Sequence, residues 1–468
     1  MSRTRLMNTD NTLPAGGGRR PEATNRRHLP LGVREYLWQD ARLRQQLEAA
    51  VNRAFRTWGY NTVILPMFEF GDMLTTRTHA AAHDRLYRFL DMEGRTLILR
   101  PDMTAAVARL VGTRLAGMEG PFRFCYAGSV FRHEETSGLE YQQEFRQAGI
   151  ELVGSADAMA DAEILACMAA GLNACNLSDF RIVVGHADYY GGLLDALDPQ
   201  PSDARQLRWA MHRKSEHALA RFVESCRPSP GQRATLENLL TLQGADVSGL
   251  LERAAGFCLN RRMESALLNL RKLTAQLDAY GILERVTLDL AEYRNLEYYT
   301  GMTFEFLLPD SAAVAGSGGR YDGLIGKFGR SRPAVGGILH LDRLVRAVPS
   351  NQAPQALSPK SPLCLVGQTK SGVALASMGR LRQQGRDIVV HTDPLSESGL
   401  LALGRSLGAR VVAAWCDSTQ SFHVLACPLP ECVRPMDVAQ FEQLLESLQR
   451  TELSGPDQST AIMAGGDV

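Results

Sequence analysis

An α+β fold is predicted for this chain by three stretches of its sequence. Between Pro121 and Gly154, PFRFCYAGSVFRHEETSGLEYQQEFRQAGIELVG reads as two strands around a polar loop, because residues of like parity share character. From about Leu194 to Gly281 the sequence turns helical, polar and rich in Arg and Leu, which reads as an inserted helical subdomain. Beyond PSNQAPQALSPKSP, a linker-like run, strands and helices alternate and imply a small separate α/β sheet. The expected organisation is a disordered tail (1–28), a core (29–348) carrying the insertion (about 194–281), a linker (349–362), a C-terminal α/β domain (363–450) and a disordered tail (451–468).

The 468 residues are 45% hydrophobic and 22% charged, enough for two or three packed domains, and 51 Lys+Arg balance 51 Asp+Glu. A net charge of zero supplies no global attraction for a polyanion, which counts against a large RNA partner while leaving room for a local basic groove. Nine cysteines without a CxxC pair or a Cys/His cluster argue against a disulfide framework or metal site, and point to a reducing cytoplasm. No run approaches the roughly 18 apolar residues of a membrane helix, and the N-terminus lacks the apolar core of a secretory signal. The polar, Arg-rich residues Met1–His28 are expected to be disordered, with a transit peptide or a misplaced start codon as other readings.

In chain order, Leu43, Leu47, Val51, Phe55 and Trp58 repeat at close to the helical period, predicting an amphipathic helix from Asp40 to near Gly59. The strand NTVILP follows, ended by Pro66, which has no N–H for a ladder. These suit a subunit interface or, equally, a core helix and edge strand. In RLYRFLDMEGRTLILRPDMTAAVARLV, Glu93-Gly94 is a turn between strands and Thr104 begins a helix. Asp102 either caps that helix or points over the sheet at a ligand cation. Ser155 is the expected cap of the helix through Ile164, Met168 and Leu172, and RIVVGHADYY reads as a strand. The HRK and NRR groups of the insertion either touch phosphates or lie on solvated helix faces.

Chemistry-bearing residues gather in four places. In the Pro121–Gly154 hairpin, period-2 geometry puts Arg132 and Glu134 on one face of their strand and Phe145, Gln147 and Glu151 on one face of theirs. If Glu135–Gln142 closes an antiparallel hairpin, these side chains converge above the sheet as a ligand platform; the other reading of the stretch is an ordinary edge hairpin with a solvated face. Further on, Arg294 beside Tyr298 and Tyr299 suits an anionic ligand such as a carboxylate or phosphate. In GSGGRYDG, glycines before Arg320 permit close backbone approach, but this is not a phosphate-binding P-loop. Arg343 opens a helix after the strand PAVGGILH.

Taken together, the LRPDMT turn, the FRHE–loop–F-Q-G-E hairpin, RNLEYYTG, GGRYDG and PAVG…LDRL resemble the class II aminoacyl-tRNA synthetase core of histidyl-tRNA synthetase. More closely, the chain resembles the paralogous family of ATP phosphoribosyltransferase regulatory subunits, over roughly His28 to Val348. The resemblance implies an antiparallel sheet flanked by helices, usually dimeric. It also implies a histidine-pocket-like set (Asp102, Thr104, Gln147, Glu151, Arg294, Tyr298, Tyr299) and a residual ATP-site set (Arg132, Glu134, Phe145, Arg343). Departures separate the two relatives. A synthetase would carry Glu in place of Asp102, a basic GRYRQ-like segment where this chain has GLEYQQ, and a small residue in place of His340, whose imidazole should crowd a purine. The C-terminal domain resembles a synthetase anticodon-binding domain with few basic residues, hence a relic or a partner-contacting domain.

The expected function is therefore that of a non-catalytic regulatory subunit. By resemblance it binds and activates the short-form ATP phosphoribosyltransferase catalytic subunit in the first step of histidine biosynthesis, takes part in feedback inhibition by histidine, and self-associates as a dimer within a hetero-oligomer. No catalytic residue, metal, cofactor, membrane or tRNA is expected, and free histidine is a candidate ligand. The alternatives are an active histidyl-tRNA synthetase, an ATP-dependent ligase, and an amino-acid-binding protein with some other partner.

Overall fold

The computed structural model of the chain describes residues 29–71, 86–133, 142–291, 299–309, 314–348 and 363–453. Both expected tails, apart from 451–453, lie outside these residues, as do the linker 349–362, the hairpin loop up to 141, Glu134, Arg294 and Tyr298. The chain divides into two compact units, the first built around Leu47–Ala347 and the second grouping Tyr36–Gln46 with the segment from Val348 onward.

The amphipathic period near the N-terminus forms a helix, Trp38–Thr57, whose Leu47, Val51 and Phe55 are buried. Of NTVILP only Asn61–Thr62 (β1) pairs as a strand. The Arg100 guanidinium takes the carbonyls of Leu65 (2.8 Å) and Pro66 (3.1 Å), so that end of the segment bonds to a side chain instead of a ladder. Phe68–Phe70 (β2), Arg88–Leu90 (β3) and Thr96–Leu99 (β4) make a three-stranded sheet in the order β2-β4-β3. Its predicted turn is closed by the Asp91 carboxylate, which accepts from the Glu93 and Arg95 amides (2.9 and 2.8 Å).

The main sheet is built on the predicted hairpin, Phe122–Phe131 (β5) against Glu144–Val153 (β6), in register from Phe122↔Val153 to Phe131↔Glu144. Downstream strands are Arg181–His186 (β7), Gln243–Gly244 (β8), Val286–Asp289 (β9), Met302–Leu307 (β10), Val314–Arg320 (β11) and Ala334–His340 (β12). The order is β1-β5-β6-β12-β11-β10-β7-β9-β8, antiparallel from β5 through to β7 and parallel at β1/β5 and β7/β9. The hairpin is thus an interior pair of strands.

One face of this sheet packs on the helix Ala158–Asn173. A Cβ added at Gly337 would stand 2.4 Å from Met168 Sδ, so helix and sheet meet where only hydrogen fits. That helix begins at Asp157, whose carboxylate accepts from the Met159 amide (2.8 Å), two residues beyond the expected Ser155 cap. Strand β7 stops at His186, whose imidazole accepts from the Asp188 amide (3.2 Å) and starts the helix Ala187–Leu197, so ADYY is helical, not extended. The insertion forms the helices Pro201–His212, Glu216–Cys226, Pro230–Leu239, Val247–Ala255 and Arg261–Ala279, and adds β8 to the sheet edge. Its Lys214 pairs with Asp289, and its Arg262 with Asp188 (2.6 Å) and Asp195 (2.9 Å).

In the second unit, strands and helices alternate as expected. A five-stranded sheet, in the spatial order Ile388–Val390, Cys364–Val366, Val411–Cys416, Ser421–Ala426 and Pro435–Met436, carries the helices Gly372–Gln383, Glu397–Leu407 and Val438–Leu453. The last helix runs past residue 450, and Pro435–Met436 is a strand too short to show a period in the sequence. Phe422 stacks on Phe441 (centroids 4.0 Å apart) at the centre of this core.

Arg320 at the end of β11 reaches back to Asp161 of the helix Ala158–Asn173 (2.7 Å), with 6% and 0% of the two side chains exposed. Removing one partner leaves the other charge buried. Arg320→Met should lower the unfolding free energy by about 3–5 kcal/mol in urea titration. Arg262→Met, at a 45%-exposed ion pair, should cost under about 1 kcal/mol.

Candidate functional site

Alternation along the central strands places Tyr126, Gln147, Gly149, Glu151, Gly336, His340 and Gly319 on the face opposite the helix Ala158–Asn173. Glycine makes this face a floor. A Cβ at Gly336 would stand 1.6 Å from Glu151 Oε2, one at Gly149 2.6 Å from the Tyr126 ring, and one at Gly319 2.8 Å from the Tyr299 ring. Longer side chains of adjoining segments therefore lie flat over the backbone.

Glu151 sits at the centre of this floor, fully buried. Its Oε1 accepts from Thr104 Oγ1 (2.9 Å) and the Tyr126 hydroxyl (2.8 Å), and its Oε2 accepts from the Tyr321 hydroxyl. Burial pushes its pKa up to about 7, while the three hydroxyls pull the other way and the charge of Asp102 adds a smaller upward push. Asp102 accepts from the Ala105 amide (3.0 Å) and so caps the helix Thr104–Gly112, the commoner of the two roles its sequence position allowed. Thr104, the first residue of that helix, is thereby aimed at Glu151.

Gln147 lies two residues before Glu151 on the same face and is 1% exposed, yet neither its amide oxygen nor its nitrogen has a hydrogen-bond partner. Its neighbour in the β6/β12 ladder is His340, 7% exposed, whose Nδ1 is likewise unpartnered. Burial, followed by the charges of Arg343 and Arg132, pushes the His340 pKa well below the usual range, so the imidazole is neutral. Arg132 donates to the Pro101 carbonyl (3.2 Å) and lies over the Phe145 ring, 4.7 Å from its centroid. Arg343 donates to the Val314 carbonyl (2.7 Å).

The structure thus brings together Asp102, Thr104, Gln147, Glu151 and Tyr299 in one part of the face, and Arg132, Phe145, Arg343 and His340 in another. Tyr126, Tyr321 and Gly336 were missed as partners of Glu151. Parity offered a signal for Tyr126, which falls on the platform face, and the GGRYDG motif contained Tyr321. Chemically, the first part offers a buried carboxylate to a cationic or N–H donor and an amide to either kind of polar partner. Among the described residues no group of three His, Cys, Asp or Glu is arranged to hold a metal, and no helix is long and apolar enough to cross a membrane.

This fold and site define a class II synthetase-like protein, and residues 32–344 match the family model described as histidyl-tRNA synthetase. The chain is 34% identical over 385 residues to the ATP phosphoribosyltransferase regulatory subunit of Desulforamulus reducens, covering 81% of this chain and 94% of the relative. It is 37% identical over 388 residues to that of Symbiobacterium thermophilum, covering 82% and 96%. A crystal structure from Bacillus halodurans C, described as an ATP phosphoribosyltransferase regulatory subunit/histidyl-tRNA synthetase, superposes with a TM-score of 0.68 at 29% identity, over 78% of this chain and 93% of that one. The histidyl-tRNA synthetase of Nostoc sp. PCC 7120 shares the fold (TM-score 0.69, 20% identity, 90% and 99% covered). The chain belongs to the family of ATP phosphoribosyltransferase regulatory subunits, with a histidyl-tRNA synthetase-like core.

Because the folded-state pKa of Glu151 lies above its ordinary value of 4.5, the group is neutral in both states below that pH, and its burial weighs on stability as pH rises through about 7. Glu151→Gln should gain on the native chain by roughly 3 kcal/mol between pH 4.5 and 8, read from urea midpoints at each pH. An equal pH slope in the two proteins would contradict a buried, titrating carboxylate.

Proposed function

We propose that this chain binds and activates the short-form catalytic subunit of ATP phosphoribosyltransferase, and that it takes part in feedback inhibition by binding histidine on the glycine-floored face of its sheet. The observation that carries the reading is the fully buried Glu151, ringed by the hydroxyls of Thr104, Tyr126 and Tyr321 and flanked by an unpaired Gln147 amide. A buried carboxylate suits an imidazole N–H, and an amide with both ends free suits the donors and acceptors of an amino acid. Leaving such groups unpaired is unfavourable by about 1–3 kcal/mol each, which a ligand recovers on binding. For feedback, histidine must bind two states of the assembly with different affinity.

The ATP-like part supports a regulator over a ligase. His340 stands where a synthetase has a small residue, Arg132 already covers a face of Phe145, and Arg343 is engaged by a main-chain carbonyl. The survival of Arg132, Phe145 and Arg343 nonetheless keeps an ATP-dependent ligase as the second reading. Exposed apolar residues on and beside the three-stranded sheet, Ile64 (94%), Phe68, Leu90 and Met92 among them, offer a surface for self-association within the hetero-oligomer.

Mixed with a short-form catalytic subunit, the chain should co-elute with it and raise its turnover, and histidine should lower that turnover. Neither complex nor activation would sink the proposal, and sustained histidine-dependent ATP–pyrophosphate exchange by the chain alone would favour the ligase. In calorimetry, Glu151→Gln should weaken histidine binding by about 10–100-fold, the worth of a hydrogen bond to a charged group. His340→Gly should tighten ATP binding; unchanged ATP affinity would remove the imidazole as the obstacle.

A further inference from the structure

A second candidate site lies in the helical insertion and is independent of the sheet site. The helices Pro201–His212 and Glu216–Cys226, joined across Arg213–Ser215, pack through buried residues such as Leu207 and Phe222. Beside this contact, Ser202, Arg205 and Trp209 on the first helix and Ala218, Arg221 and Ser225 on the second line an open groove of about 700 Å³. Both triplets recur at helical spacing, so each helix turns one continuous stripe to the groove.

Three features of the groove are unexplained by packing. Neither the Arg205 nor the Arg221 guanidinium meets a hydrogen-bond acceptor or carboxylate among the described residues, so both are available to an incoming anion. The Trp209 indole is left 55% exposed. The second helix contributes the small side chain of Ala218 to the lining of the same groove. At the far end the Ser202 hydroxyl turns to the Asp203 carboxylate (3.4 Å), so an anion is favoured between the arginines and not at that end.

We infer that this groove binds a 5′-mononucleotide, its base against Trp209 and its phosphate between Arg205 and Arg221. Two rigid guanidinium forks match a phosphate monoester, which carries close to two negative charges at neutral pH. A single carboxylate would leave one fork unmatched, and an aliphatic phosphate would leave the indole in water. Bases stack on tryptophan whatever their identity, and the groove has the volume of a small-molecule site.

The test is titration of the full chain with adenosine 5′-monophosphate, followed by tryptophan fluorescence, with adenosine and inorganic phosphate as the separate halves. A saturable quench should appear, vanish in Trp209→Phe, and weaken by roughly tenfold or more in Arg205→Ala and in Arg221→Ala. Each half should bind roughly tenfold or more weakly, and Arg343→Ala, in the sheet site, should leave the titration unchanged. No saturation up to about 10 mM, or saturation indifferent to both arginines, would overturn the inference. So would saturation by a short 5′-phosphorylated oligonucleotide without saturation by the mononucleotide, which would make the groove a nucleic-acid surface.

Discussion

The sheet face is organised by the need to bury one carboxylate. A charged side chain in the interior is unfavourable by several kcal/mol unless hydrogen bonds surround it, and Glu151 finds three, each from a different part of the chain. Tyr126 comes from the adjacent strand β5, Thr104 from the first turn of a helix fixed by Asp102, and Tyr321 from the residue that follows β11. None of this fits unless β12 passes beneath with Gly336 at the point of contact, since a methyl group there would overlap Oε2. A slip of one residue in β6 would put Ile150 or Leu152 into the hydroxyl cage and Glu151 against the helix Ala158–Asn173, so this single group also fixes the strand register.

That dependence explains which parts of the site were legible in the sequence. Gln147 and Glu151 were placed on one face because strand alternation has a period of two residues, a local property. The capping geometry of Asp102 was legible as an alternative for the same reason, as both its roles involve the first turn of one helix. Tyr126 and Tyr321 were not recognised as partners of Glu151, because Tyr126 reaches it over Gly149 from the neighbouring strand and Tyr321 from beyond β11, and sequence distance carries no record of either approach. Local misreadings have equally physical causes. Ser155 and Asp157 are both good caps, and the choice depends on where β6 releases the chain. In ADYY the tyrosines carry strand propensity, yet the His186 cap and the packing of Tyr189 and Tyr190 in the core prevail. The fold class survived these misreadings because it rests on the long hairpin and the long helices, whose periods extend over many residues.

Charge is the second thread, because a chain of zero net charge still distributes its arginines unequally. Three arginines are consumed by the fold: Arg320 by Asp161, Arg262 by Asp188 and Asp195, and Arg100 by the carbonyls of Leu65, Pro66 and Ser129. In each case the partner is held by another element, so the guanidinium acts as a tie between segments. Arg132 and Arg343 are intermediate. Each spends a donor on a main-chain carbonyl at the edge of the face, while its charge adds to the burial that keeps the His340 imidazole neutral.

Arg205 and Arg221 stand at the other extreme. Their helices are already joined through a buried apolar seam, so neither guanidinium is required to hold the hairpin closed, and the insertion would keep its shape with alanine at either position. Two like charges lining one groove oppose each other weakly in water, and an anion between them relieves that repulsion while adding charge-assisted hydrogen bonds. Arg205 and Arg221 line one groove beside an exposed indole, so the residues that hold the two helices together are distinct from those that line the groove. The same distinction operates on the sheet, where the tyrosines and Thr104 hold Glu151 while the buried Gln147 amide makes no hydrogen bond among the described residues.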